Sequence, residues 1–484
     1  MWTSVKFFIA SALLINSSVL AYNIKGSRTN SCPLSNSLIN EINSYKRQVG
    51  SIIYMATNGS YKGVTWKDLA YFVDTFGPRH TGTQALEDSI DYVLNKSISF
   101  GFDNVYGDVV KVPVWVRGKE SATLLTPRKK NIKLVGSGFS IGTPPEGITA
   151  DVIVVNDFAE LYARSAEVPG KIVVYNQEFV SYIDTVIYRD LGPSIAAKLG
   201  AVAALTRSIT PFSFATPHAG LLDYAFNSTL NVTKIPGASI TAEDSTLFRR
   251  LQERGKRLRI NLKMGAKNLG ETTSRNVIAE IRGSEYPEKV VVISGHIDSW
   301  DNTDGPLDDG GGAFIAWTAL KLLKTLNYRP RRTIRMIMWT AEEMGIVGAN
   351  QYIERFKNNE RNLQFVMESD VGTFEPLGLK FNGTKEVECV LENVMRLLTP
   401  LGEMKLDGPA ECPDIDAWIE SGIPGASLWN ANDRYFWYSH TEADSMLVED
   451  PVALDKNTAL FAAVAFVLAD LSVDLPHTQI KKNQ

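Results

Sequence analysis

The chain alternates short apolar runs with longer stretches of helical period, most clearly in its second half. Lys289-Val290-Val291-Val292-Ile293 is apolar at successive positions, the pattern of a parallel strand buried on both faces. Ile334 to Trp339 predicts another strand, and Ala313 to Leu326, with Phe314, Trp317, Leu320 and Leu323 on one face, predicts a helix between the two. Asp450 to Leu471, with Ala459, Leu460, Ala463 and Phe466 in helical register, predicts an amphipathic packing helix. Earlier, Asp151-Val-Ile-Val-Val and Gly170-Lys-Ile-Val-Val-Tyr predict strands between turns, and Ile195 to Leu205 reads as a helix ended by Gly200 before a strand. Alternation of this kind predicts an α/β fold with a doubly wound mixed sheet, and residues 124–263 form a second, smaller unit.

Acids and histidines fall where the predicted strands end, the edge at which open α/β sheets place ligands. His296 and Asp298 follow the first strand; Asp308-Asp309-Gly310-Gly311-Gly312 leads into the helix; Glu342-Glu343 follows the second strand; Asp370 and His440 come later. Taken singly, each has a bland reading. His-x-Asp is commonly a core or surface pair, Asp-Asp-Gly a turn, and Glu-Glu a solvated helix start. Together, His296, Asp308, Glu343, Asp370 and His440 are a mixed imidazole and carboxylate set of the kind that binds zinc at catalytic sites. Glu342 is then left free as a general base, and Asp298 is expected to accept a hydrogen bond from the distal nitrogen of His296. Tyr438 is a candidate oxyanion or substrate contact, whereas Tyr435 and Trp437 read as pocket wall. His80 lies in a turn-like stretch, as a structural or substrate-facing residue; His218 and His477 read as solvent residues.

This ordered series, with twelve positions from His296 to Asp308, resembles the secreted co-catalytic zinc exopeptidase family that includes bacterial leucine aminopeptidase. The resemblance covers nearly the whole chain after its N-terminal segment. It implies two Zn2+ per chain: Asp308 as the bridging ligand, His296 and Asp370 completing one site, Glu343 and His440 the other, and Glu342 as the base. It also implies a protease-associated-like cap over residues 118–266, inserted in a catalytic domain of residues 48–117 and 267–475. A propeptide within 22–47, with Lys46-Arg47 as its processing point, and a homodimer are further implications. The activity implied is hydrolysis of dipeptides or short peptides, as a carboxypeptidase or dipeptidase. Alternatives are an aminopeptidase with the same core, a cyclising aminoacyltransferase, and a receptor-like ectodomain without activity. Ectodomains of that kind lose ligands, whereas this chain keeps all five and Glu342.

Composition sets outer bounds. The 484 residues exceed one ordinary domain, and 44% hydrophobic with 21% charged content is that of a globular protein. A net charge of -4 argues against nucleic acid as a partner, and Arg128-Lys129-Lys130 and Arg329 to Arg332 read as solvated loops. Lys6 precedes the apolar run Phe7 to Ile15, and Val19-Leu20-Ala21 supplies small residues, so residues 1–21 read as a signal peptide for the secretory route, leading to a secreted or lysosomal protein. No later run has the apolar length of a membrane span, so none is expected. Asn58, Asn95, Asn227, Asn231 and Asn382 stand in glycosylation acceptor triplets. Of Cys32, Cys389 and Cys412 one must stay unpaired, with Cys389–Cys412 a candidate bridge.

Overall fold

A computed structural model describes residues 32–225 and 233–479; the signal-peptide reading and the acceptors Asn227 and Asn231 lie outside them. Helices α1 (Asn36–Ser44), α2 (Lys46–Thr57), α3 (Val64–Phe76) and α4 (Gln84–Phe100) lead into strand β1 (Asn104–Val116). A second stretch follows: β2 (Glu120–Thr126), β3 (Lys130–Ile132), β4 (Leu134–Gly136), β5 (Ile148–Val155), α5 (Phe158–Ala163), β6 (Ile172–Tyr175), α6 (Tyr182–Asp190), α7 (Gly192–Lys198), β7 (Ala203–Arg207), β8 (Gly237–Ile240), α8 (Ala242–Glu253) and β9 (Arg259–Met264). The chain then forms β10 (Lys267–Ile281), β11 (Tyr286–His296), α9 (Gly311–Thr325), β12 (Arg332–Trp339), α10 (Val347–Phe356), β13 (Leu363–Glu368) and β14 (Pro376–Asn382). It closes with α11 (Lys385–Leu397), β15 (Lys405–Asp407), α12 (Asp416–Glu420), β16 (Gly425–Asn430), α13 (Tyr435–Tyr438) and α14 (Pro451–Asp470).

Two eight-stranded sheets result. The first has the order β1-β10-β12-β11-β13-β16-β14-β15, and its four central strands, β12 to β16, run parallel. The second, β3-β2-β9-β5-β6-β7-β8-β4, draws every strand from Glu120 to Met264, with β5 to β8 parallel. In β11, side chains alternate between two cores. Val291 and Ile293 join Phe314 and Leu320 of α9 and Phe461 of α14, while Val290 and Val292 join Tyr352 of α10 and Trp418 on the opposite face. Each fully buried aliphatic or aromatic side chain of this kind contributes about 1.5–3 kcal/mol, which is why the strand is apolar without alternation.

Helix α9 begins two residues before the expected Ala313, because glycines there are a packing requirement. A Cβ on Gly312 would lie 2.1 Å from the Ser369 carbonyl oxygen, so only a bare backbone lets the first turn press against the segment after β13. Helix α14 is not amphipathic as expected. It is long and apolar enough to cross a membrane by composition, but 89% of its apolar window is buried inside the protein, where it is covered from all sides.

Three other expectations are corrected by tertiary packing. Cys32 bonds Cys389, and Cys412 is free and buried. Cys412 belongs to the core containing Val290 and Val292, whereas α11, which carries Cys389, packs on the other face of the sheet, so the sheet separates the candidate pair. Arg332 is buried rather than solvated, its guanidinium donating to the carbonyls of Leu471 and Val473 and paired with Asp474. His218 is buried, its Nε2 3.0 Å from the Phe436 carbonyl, and His477 is half-buried with Nε2 2.7 Å from the Leu363 carbonyl. Of the described acceptors, Asn58 and Asn95 are exposed, while Asn382 is half-buried and accepts the Ala410 N–H.

Candidate active site

The parallel register carries the sequence-predicted residues to one edge. His296, the last residue of β11, pairs with Trp339 of β12, so Glu342 and Glu343 emerge just beyond it. Ser294 pairs with Glu368 of β13, which brings Asp370 level with His296 on the other side. Asp308 comes from the turn before α9, and His440 follows α13, the short helix after β16. Ala341 adopts a left-handed backbone (φ 59°), which swings the following N–H groups inward. Those of Glu342 and Glu343 both donate to the Asp298 carboxylate, at 3.0 and 3.3 Å. This differs from the role expected of Asp298: its backbone carbonyl, not its carboxylate, accepts from His296 Nδ1 at 3.1 Å, with the carboxylate 3.6 Å away.

All five expected ligands meet. His296 Nε2 lies 3.2 Å from Asp308 Oδ1 and 3.2 Å from Asp370 Oδ1. His440 Nε2 lies 3.2 Å from Asp308 Oδ2 and 3.2 Å from Glu343 Oε2. Asp308 thus stands between two imidazoles, one oxygen facing each. The Asp308–Asp309 peptide is cis, and the backbone N–H groups of Leu307 and Asp308 donate to the Asp444 carboxylate at 2.8 and 3.1 Å. Glu342 is outside this pairing, its Oε2 3.9 Å from His296 Nε2.

The donor set suits divalent cations. Both imidazoles give Nδ1 to a backbone carbonyl, Asp298 for His296 and Ala219 for His440, which leaves Nε2 as the lone-pair donor in the neutral tautomer. Against burial, which opposes charge, the carboxylates Asp308, Asp370 and Glu343 hold both imidazoles well above the ordinary histidine range, and the same field would favour a metal. Burial, reinforced by Asp370, Asp414 and Glu343, pushes Glu342 well above the usual carboxylate range; burial raises Glu343 to about 7. Glu343 Oε1 is buried with no hydrogen-bond partner among the described residues. His296, Asp308 and Glu343 form one set of donors within 4.8 Å of one another, and His296, Asp309 and Asp370 form another. Asp309, however, accepts the N–H groups of His296 and Gly312 at 3.0 Å each, which commits both its oxygens and leaves Asp308 as the carboxylate free for a cation.

Sequence reasoning gave no role to several groups around this set. Glu368 and Asp414 are buried with all four carboxylate oxygens unpartnered among the described residues, and they add to the field on Glu342. Tyr435, read from the sequence as pocket wall, is buried near Asp308, Asp370 and Glu343, and burial with their charges pushes its hydroxyl well above the usual tyrosine range; the ring of Tyr438 lies against Trp437. Glu368 and Asp444 stood two and four residues from predicted ligands, a usable signal; Asp414 came from a segment without a motif, and Tyr435, five residues before His440, was read only as pocket wall. His80 is no part of the donor set: it is buried between the rings of Trp115 and Trp300.

Buried imidazoles and carboxylates at the carboxyl edge of a mostly parallel sheet define a metal-dependent hydrolase, and residues 276–465 match the profile of peptidase family M28. A Peptidase M28 precursor from Shewanella amazonensis superposes with a TM-score of 0.85 at 31% identity, over 91% of this chain and 100% of that one. The chain belongs to peptidase family M28. Within that family it is 50% identical over 436 residues to carboxypeptidase Q of Xenopus laevis, spanning 90% of this chain and 92% of that protein. Human carboxypeptidase Q is 46% identical over 428 residues, 88% of this chain and 90% of its own length.

Proposed function

We propose that the chain is a zinc-dependent exopeptidase of the carboxypeptidase Q kind, hydrolysing dipeptides or short peptides in the secretory route, as a secreted or lysosomal protein. The observation that carries this is the placement of Asp308 between two imidazoles, with Glu342 beside but outside them. His296, Asp308 and Asp370 would hold one zinc ion, and Asp308, Glu343 and His440 a second. Zinc bound there would polarise the scissile carbonyl and make water a better nucleophile at neutral pH.

Glu342 removes the proton from the attacking water and returns it to the departing amine. Its side chain stands 3.9 Å from His296 Nε2, outside the imidazole and carboxylate pairing, which leaves its lone pairs free to hold that proton between the two transfers. Asp298 fixes the base by binding the N–H groups of both glutamates. Tyr438 stays a candidate donor to a developing oxyanion, and Tyr435, buried near Asp308, is a second. The connection between β7 and β8 meets the donor set at Ala219, which suits short peptides over folded chains as substrates. The Cys32–Cys389 disulfide fits an oxidising compartment.

Unblocked, amino-blocked and carboxyl-blocked dipeptides, assayed with zinc and after chelation, test this reading beside Glu342→Gln. Zinc-dependent cleavage of free dipeptides that falls about 10²–10⁴-fold in the variant, with zinc uptake retained, is expected. Cleavage that survives chelation, or a fully active variant, would refute it.

A further inference from the structure

The second sheet does more than roof the site: its connection after β7 is tied to the final histidine of the donor set. Ala219, between β7 and β8, accepts from His440 Nδ1 at 3.2 Å, and its own N–H donates to the His440 carbonyl at 2.8 Å. His440 has a left-handed backbone (φ 63°), uncommon for a residue other than glycine and sustained only where neighbours over-determine it. Asn302 supplies a second restraint, donating to the same His440 carbonyl at 3.1 Å. The Ala219 carbonyl has a second donor as well. Nη1 of Arg189, from α6 of the same unit, reaches it at 3.0 Å.

Arg189 is 4% exposed, and its remaining bonds run to Asp190, at 3.2 Å, and to the Tyr182 hydroxyl, at 3.1 Å. Room for it is made by the residue after Ala219. A Cβ on Gly220 would fall 2.0 Å from Arg189 Cζ, so glycine at that position is what admits the guanidinium. The planar fork therefore holds one carbonyl in a fixed direction, and that carbonyl fixes the ring plane and tautomer of His440.

We propose that Arg189 is a positioning residue for the metal centre, acting through the Ala219 carbonyl on His440, so that the second sheet completes one of the two zinc sites. This rests on the donor set proposed above. Histidine ligands lose metal affinity when the group that orients their distal nitrogen is removed, typically by about 10–100-fold. The His296 side, oriented by Asp298 from the first sheet, has no such dependence.

The test is competition for zinc against a chromophoric chelator, with visible spectra of the Co2+-loaded protein as a second readout. The wild-type chain is expected to bind two equivalents. Arg189→Gln and Arg189→Met, both of which withdraw the guanidinium from the Ala219 carbonyl, should each weaken one equivalent about 10–100-fold and leave the other unchanged. Arg189→Lys should recover part of the loss, and Arg249→Gln, whose ion pairs are with Glu160 and Glu253 rather than with the Ala219 connection, should match wild type. If Arg189→Gln does not fold, Arg189→Lys decides the matter, by binding one equivalent more weakly than the wild-type chain. Two equivalents of wild-type affinity in a folded variant would overturn the proposal; fewer than two in the wild-type chain would overturn the donor set itself.

Discussion

At the residue scale the molecule shows what burial does to a carboxylate. Glu449 is 7% exposed; one oxygen accepts the Thr373 hydroxyl at 2.7 Å and the other has no partner among the described residues. Burial, with a smaller push from Asp450, raises it to about 8. Below the unfolded value, near 4.5, both states hold the proton and stability is indifferent to pH. Between that value and about 8 the native state keeps a proton the unfolded chain has lost, so stability falls as pH rises, by up to about 1.4 kcal/mol per pH unit for this group. Glu449→Gln should therefore match wild type in denaturant titrations near pH 4.5 and exceed it at pH 8. An equal pH slope in the two proteins would contradict the assignment. The ligand types His296, Asp308, Glu343, Asp370 and His440 were legible because strand ends and glycine turns flank them in sequence. Asp298 was legible as a partner but not in its bonding, because the Ala341 turn that directs two N–H groups to its carboxylate has no signature in residue type.

At the element scale, helices α1 and α14 carry the sharpest consequences. Leu38 and Ile42 of α1 sit in the main core, and the Cys32–Cys389 bond staples the start of this segment to α11. Lys46 and Arg47 are exposed in the first turn of α2, and a chain cut there would stay covalently joined through Cys32 and Cys389. Limited trypsinolysis should release the N-terminal piece on denaturing gels only after reduction; release without reductant would exclude the bond. In α14, Leu460→Ala removes a fully buried side chain and should cost about 2–5 kcal/mol in chemical denaturation. Helical periodicity located this helix, but its amphipathic reading failed for a physical reason. Helix α14 packs against α2, α3, α9 and the sheet together, and small residues such as Ala459, Ala462 and Ala463 are compatible with that enclosure as well as with an exposed face.

For the whole molecule, the two sheets and the site form one system. Ala219 joins the second sheet to His440, and Arg117, at the end of β1, pairs with Asp301 beyond the β11 edge. Ligands that bind only the folded chain stabilise it by mass action, by about 4 kcal/mol at a thousand times the dissociation constant. Chelation should therefore lower the melting temperature as well as abolish hydrolysis, and added zinc should restore both. Activity lost with no change in melting would separate the metal from the fold.

The sequence alone determined the alternation of strand and helix, the edge at which the chemistry gathers and the five residue types that gather there. All of these are local: side-chain period, glycine before a helix, an acid or histidine at a strand's end. Tertiary structure alone decided that Cys32 pairs with Cys389, that His218 and Arg332 are buried, that α14 is enclosed and that a carbonyl from the second sheet orients His440. Each of these depends on which surfaces meet across hundreds of residues, and hydrophobic period and residue type record that a surface is apolar without recording what covers it.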